Sequence, residues 1–185
     1  MNNYERHYRE YEAQDWPGWS ATASIDAMSE LVIDWFQGRT PVLPWHFGPP
    51  ADETRRILPS LIARNKVPGM LTDNSQPGVH NDYCKQRAFV TGFATPACMT
   101  DLVARARHAE LVIRTTSEIR SDDPVITEPL AGPPGLWTYG RPAPVRELAL
   151  PERAANVLTT TAMPFSIHDP EWGSNSMWSQ LVADA

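Results

Sequence analysis

Residues 69–78 read Gly69-Met70-Leu71-Thr72-Asp73-Asn74-Ser75-Gln76-Pro77-Gly78. A short apolar run ends abruptly in polar and turn-forming residues. The pattern predicts a buried strand over Val67 to Thr72 and a loop from Asp73 to Gly78. A strand end carrying Thr, Asn, Ser and Gln offers hydroxyls and amides at a fixed place, which suits a small polar ligand. A polar turn bonded only to its own backbone would look the same.

The segments on either side settle the class. Upstream, Ser24 to Gly38 is the clearest helix: Ser24 caps it, Asp26 sits in its first turn and Gly38 stops it. Ile25, Met28, Leu31, Val32, Trp35 and Phe36 fall on one stripe and read as core. A second helix is expected from a cap at Asp52 to about Asn65, kinked or split at Pro59. Downstream, Lys85 to Ala94 alternates as a strand, with Ala88, Val90, Gly92 and Ala94 on one face and Phe89, Thr91 and Phe93 on the other. Thr95 caps a third helix with Pro96 in its first turn, running to about His108. Glu110 to Thr116 reads as a strand, Ser121 to Gly135 as loop, and Leu136–Gly140 and Asn156–Ile167 as extended. Ser174 caps a final helix bearing Met177, Trp178, Leu181 and Val182. The order of elements gives an α+β fold, mixed sheet or sheets with about four flanking helices, and not a regular βαβ alternation. Residues 1–20 are expected to be an N-terminal arm, anchored at its end by Trp16 and Trp19, and 21–185 the single domain.

The totals narrow the function. The chain has 185 residues, enough for one well-buried domain. A net charge of −6 without a basic block argues against nucleic acid. No apolar run approaches the roughly 18 residues that span a membrane. Met1 to Asp15 is polar and charged, unlike a secretory signal, so a cytoplasmic location is expected. Cys84 and Cys98 are spaced for neither zinc nor a disulfide scaffold, and no metal is expected. No nucleophile elbow, phosphate loop, zincin or dinucleotide fingerprint occurs. His80, Asp82 and Cys84 cluster on what reads as a loop. His46 beside Trp45 and His168 before Asp169 read as surface or structural.

Four stretches in order carry a family resemblance. They are Leu43-Pro44-Trp45 with Asp52-Glu53-Thr54 and its helix; Gly69 to Pro77, followed by Gln86 to Phe93; Trp137-Thr138-Tyr139-Gly140 with Val145-Arg146-Glu147-Leu148; and Asn175 to Asp184. Together they resemble the C-terminal regulatory domain of eukaryotic methylenetetrahydrofolate reductase. The second stretch is the most specific, and its Ser-Gln-Pro-Gly pattern is also similar to that of small stand-alone bacterial proteins. The resemblance implies a site for S-adenosylmethionine, with contacts at Glu53, Thr54, Thr72, Ser75 and Thr138. A further family threonine has no clean match near Pro151 or Glu152. The reductase's catalytic barrel has no counterpart, so no flavin or folate chemistry follows.

The residue chemistry is compatible with that ligand. Glu53 can pair with an ammonium or accept from a ribose diol, and the threonines and serine supply hydroxyls. Trp45, Trp137 or Tyr139 can face the adenine or the sulfonium. Three functions remain open at this point. The first is a small S-adenosylmethionine-dependent transferase, methyltransferase-like, acting on a small molecule, with His80, Asp82, Tyr83 and Tyr139 as candidate acid–base groups. The second is a non-catalytic sensor of the cofactor and its demethylated product, and the third an interaction protein that has lost the ligand. A homo-oligomer is left open.

Overall fold

The computed structural model describes residues 17–46, 48–115, 125–130, 140 and 143–181. The organising element is a four-stranded antiparallel sheet in the order β1-β4-β7-β5, made of β1 (Met70–Gln76), β4 (Phe89–Ala94), β7 (Met163–His168) and β5 (Val112–Arg114). A smaller antiparallel sheet joins β2 (Val79–His80), β3 (Cys84–Gln86) and β6 (Thr127–Pro129). Among the described residues the helices are α1 (Pro17–Ala21), α2 (Ile25–Phe36), α3 (Leu58–Asn65), α4 (Pro96–His108), α5 (Glu152–Thr161) and α6 (Ser176–Gln180). The fold is therefore α+β in one domain, and no described helix is long and apolar enough to cross a membrane.

Both faces of the main sheet are covered. Val90 and Ala94 of β4 join Leu61, Met99, Leu102, Phe165, Ile167 and Trp178 in one buried cluster. Leu71 and Phe93 point the other way, into Trp19, Met28, Val32, Trp35, Ala154 and Leu158. The period-two reading of β4 thus assigns its faces correctly. Because helices lie on both sides, every residue of β4 is buried. Trp19 is 4% exposed and belongs to the core, so the body of the domain takes in α1.

Several boundaries differ from the sequence reading. The strand at the opening stretch begins at Met70 and continues to Gln76, where a loop was expected from Asp73. It lies at the edge of the sheet, so one side needs no partner strand and polar residues are tolerated. A β-bulge falls between Thr72 and Asn74: Thr72 faces Gly92, Asn74 faces Thr91, and Asp73 is the extra residue. The expected second helix is divided, as Pro59 suggests. Asp52–Ile57 is a 3-10 turn, and α3 begins at Leu58 with the proline in its first turn, where the missing N–H costs nothing. Ala51 and not Asp52 occupies the cap position. The expected strand over Lys85–Ala94 is interrupted at Arg87-Ala88 and serves two sheets.

The largest departure is Asn156–Ile167. Its β-branched threonines suggest a strand, yet α5 extends to Thr161. Thr159, Thr160 and Thr161 each turn the hydroxyl back onto the carbonyl four residues earlier. Burial of Ala154 and Leu158 on one helical stripe outweighs the weak propensity of the three threonines. At the C-terminal end the cap is Asn175, one residue beyond Ser174. Ser174 Oγ instead donates to Asp169 and accepts from the Ser176 N–H.

Candidate functional site

The bulge sets the geometry of a cleft. Antiparallel pairing keeps β1 beside β4 on both sides of Asp73, so the extra residue turns its carboxyl inward. There Asp73 accepts from the Thr91 hydroxyl and from the Ala143 N–H at 3.4 Å. Its own carbonyl accepts from the Trp45 indole N–H at 3.0 Å. Gly92, opposite, is required by contact distance: a Cβ there would stand 2.1 Å from the Leu71 carbonyl oxygen. The bulge thus rests on a residue without a side chain.

The cleft, about 230 Å³, lies between the end of α2, residues 43–46 and 51, the 3-10 turn and the bulged half of β1. Trp45, Glu53, Thr54, Thr72 and Ser75 all line it. Five residues expected at a ligand site, from two of the four stretches, are therefore brought to one cavity. Thr138, Tyr139 and Trp137 lie outside the described residues. His80, Asp82 and Tyr83 do not line the cleft. They sit on the exposed β2–β3 turn, Tyr83 at 75% exposure, where Asn81 Oδ1 accepts from the N–H groups of Tyr83 and Cys84 and closes the turn on itself. His168 is buried, and burial first, then Arg87 and Arg114, lowers it to about 4, so it is neutral at pH 7.

The lining has a definite chemistry. Trp35, Phe36 and Trp45 supply aromatic surface, with His46 against the Trp35 ring at 4.9 Å. Glu53 and Asp73 are acidic, and among the described residues no Lys or Arg lines the cleft. Burial pushes the Asp73 carboxyl up to about 6, against the lowering effect of its hydrogen bonds. An acidic, aromatic, weakly solvated cavity favours a cation.

The hydroxyls differ in readiness. Thr72 is 4% exposed, its Oγ1 accepts from Asn65 Nδ2 at 2.7 Å, and its N–H donates to Asn65 Oδ1 at 3.0 Å. With one lone pair engaged, the Thr72 hydroxyl keeps its proton and a second lone pair for the cleft. Trp45 is held edge-on against Trp19 at 5.1 Å. Asp73 has no assigned role in the sequence reading; Trp35 reads there as core, which it also is, and His46 as surface or structural. The signal for Asp73 was a carboxylate in the middle of an apolar-led strand, legible only once the strand is known to continue past it.

The tail of the chain fastens this wall from behind. Asn175 Oδ1 accepts from the Gly78 N–H at 2.9 Å and its Nδ2 donates to the Gly78 carbonyl at 3.0 Å. Gln86 Nε2 donates to the Pro77 carbonyl at 2.8 Å. The Ser-Gln-Pro-Gly end of the stretch is thereby tied to both the second sheet and the C-terminal segment.

Residues 14–185 match the profile of a family described as a domain of unknown function, DUF6919. The chain belongs to this family. The match takes in α1, both sheets and every residue that lines the cleft. No curated protein matches the sequence.

Proposed function

We propose that this protein binds S-adenosylmethionine in the cleft beside the β1 bulge. One observation carries the reading: residues from two of the stretches that resemble the methylenetetrahydrofolate reductase regulatory domain, Trp45, Glu53 and Thr54 of the first and Thr72 and Ser75 of the second, line a single acidic, aromatic cavity. The charges suit the ligand. Glu53 and Asp73 favour its ammonium or sulfonium, and no lysine or arginine among the described lining residues opposes it. Thr54, Thr72 and Ser75 offer hydroxyls to its polar oxygens, and Trp45 offers a ring face to the sulfonium, a contact worth about 0.5–2 kcal/mol.

A second reading, that the cofactor is consumed, draws on Asp73. When bound, the cofactor supplies a methyl group activated by the sulfonium. Raised to about 6 among the lining residues, the Asp73 carboxyl can accept a proton from a small-molecule acceptor as the methyl is transferred. In the alternative of a sensor, the same site binds cofactor and demethylated product and turns over neither.

Calorimetry with S-adenosylmethionine and S-adenosylhomocysteine tests the site. Binding should weaken by about 0.5–1.5 kcal/mol in each of Thr72→Val and Ser75→Ala. Heat signals from neither ligand would sink the proposal. Chromatographic detection of released S-adenosylhomocysteine or methylthioadenosine in the presence of an acceptor separates transferase from sensor.

A further inference from the structure

A second cavity opens where the end of α3 meets α4, well away in composition from the cleft and sharing no lining residue with it. Its volume is about 360 Å³, inside the range of about 300–1,000 Å³ usual for small-molecule sites. Ala63, Val67, Pro68, Met70 and Leu102 give it an apolar wall. Arg64, Lys66 and Arg105 stand against that wall, with a single acid, Asp101.

Arg64 is the unusual member. It is 3% exposed, and its Nε meets no acceptor among the described residues. Asp101 is already committed to Arg105, whose Nε donates to it at 2.7 Å. Burial, and then the like charge of Arg105, pull the Arg64 guanidinium below its usual range. A buried cation without a hydrogen-bonded anion costs several kcal/mol. Arginine holds its charge regardless, so the remedy is an anion brought in from solution.

We propose that this cavity is a binding site for a small organic monocarboxylate with an apolar body, its carboxylate on Arg64 and its chain along Val67, Pro68, Met70 and Leu102. The planar fork of an arginine matches a carboxylate in two parallel hydrogen bonds. The apolar wall selects for a hydrocarbon chain, and the carboxylate of Asp101 disfavours a dianion such as phosphate.

Titration of the full chain with sodium acetate, sodium hexanoate and inorganic phosphate, followed by calorimetry and thermal denaturation, tests the site. Hexanoate should bind about tenfold or more tightly than acetate, since four further methylenes leave water. It should raise the Tm, and phosphate should do neither. Arg64→Met should lose hexanoate binding by about tenfold or more, the worth of a charge-assisted hydrogen bond. Ala63→Leu fills the cavity without touching the charge and should lose it as well. Equal binding of acetate and hexanoate, or tighter binding of phosphate, overturns the assignment. So does a folded Arg64→Met that binds hexanoate as wild type does. Should Arg64→Met not fold, undiminished hexanoate binding by Ala63→Leu overturns it alone.

Discussion

Asp73 carries the sharpest energetic consequence of any single residue. Burial holds its carboxyl at about 6, against 3.8 for a free aspartate. Between those two pH values the folded chain binds more protons than the unfolded one. Stability from this group is therefore full below about pH 4 and falls as pH rises through about 6, by about 3 kcal/mol in all. Asp73→Asn removes the titration. Urea unfolding of wild type and variant at pH 4.5 and pH 7.5 should show the variant gaining on the wild type at the higher pH. An equal difference at both would show that the carboxyl titrates normally. The same charge attracts a cationic ligand, so Asp73→Asn should weaken S-adenosylmethionine even as it stabilises the fold. Neighbouring Thr72 shows what could be read early. The Thr-x-Asn-Ser-Gln-Pro pattern singled it out, and it lines the cleft. Its clasp by Asn65 was not legible, because a side-chain pair seven residues apart, across a turn, has no periodic signature.

The elements were legible in proportion to the locality of their cause. Both α2 and α4 carry their own caps, Ser24 and Thr95, whose side chains accept from Ala27 and Cys98 N–H groups, and both were found. The two faces of β4 followed from alternation alone. The course of β1 past Thr72 did not, because its pairing depends on β4, some fifteen residues on. Likewise α5 is set by the surface it covers and not by its threonines. Gly92 marks where two elements constrain each other. A methyl at this position meets a backbone oxygen that cannot rotate away, so Gly92→Ala should destabilise by about 1–3 kcal/mol. It should also disturb the bulge, which loss of S-adenosylmethionine binding in a folded variant would report. A Gly92→Ala protein with wild-type Tm would mean that β1 and β4 separate at no cost. Gly69 imposes a second local demand, with φ of +79° and its N–H on Asp26 at 2.5 Å. There Gly69→Ala adds backbone strain to a contact with Thr95, and should lower the Tm as well.

At the scale of the whole molecule, one sheet carries α1, α2 and α5 on one face and α3, α4 and α6 on the other. Trp19 and Trp35 sit in one cluster and Trp178 in the other. The clusters are joined through β1 and β4, each of which gives residues to both. Heat should therefore melt them together, and tryptophan fluorescence and far-UV circular dichroism should share a single midpoint. Separate midpoints would show two independently stable halves. Asn175 ties the chain's end to Gly78 across 97 residues, so Asn175→Ala should lower that shared midpoint, at a cost of about 1–3 kcal/mol.

The outer edge of β1 has one more bearing. A terminal strand presents unpaired amides and carbonyls to any passing chain. Here three of those groups are taken by side chains: the Thr72 N–H by Asn65, the Met70 carbonyl by Ser29, and the Asp73 carbonyl by Trp45. Helices and loop thus blunt the edge, and the bulge bends it away from a flat template. Trp45 both lines the cleft and covers the edge, while Asn65 covers the edge and holds the Thr72 of the cleft wall. Replacing Asn65 with leucine would open both the pocket wall and a route to fibrils.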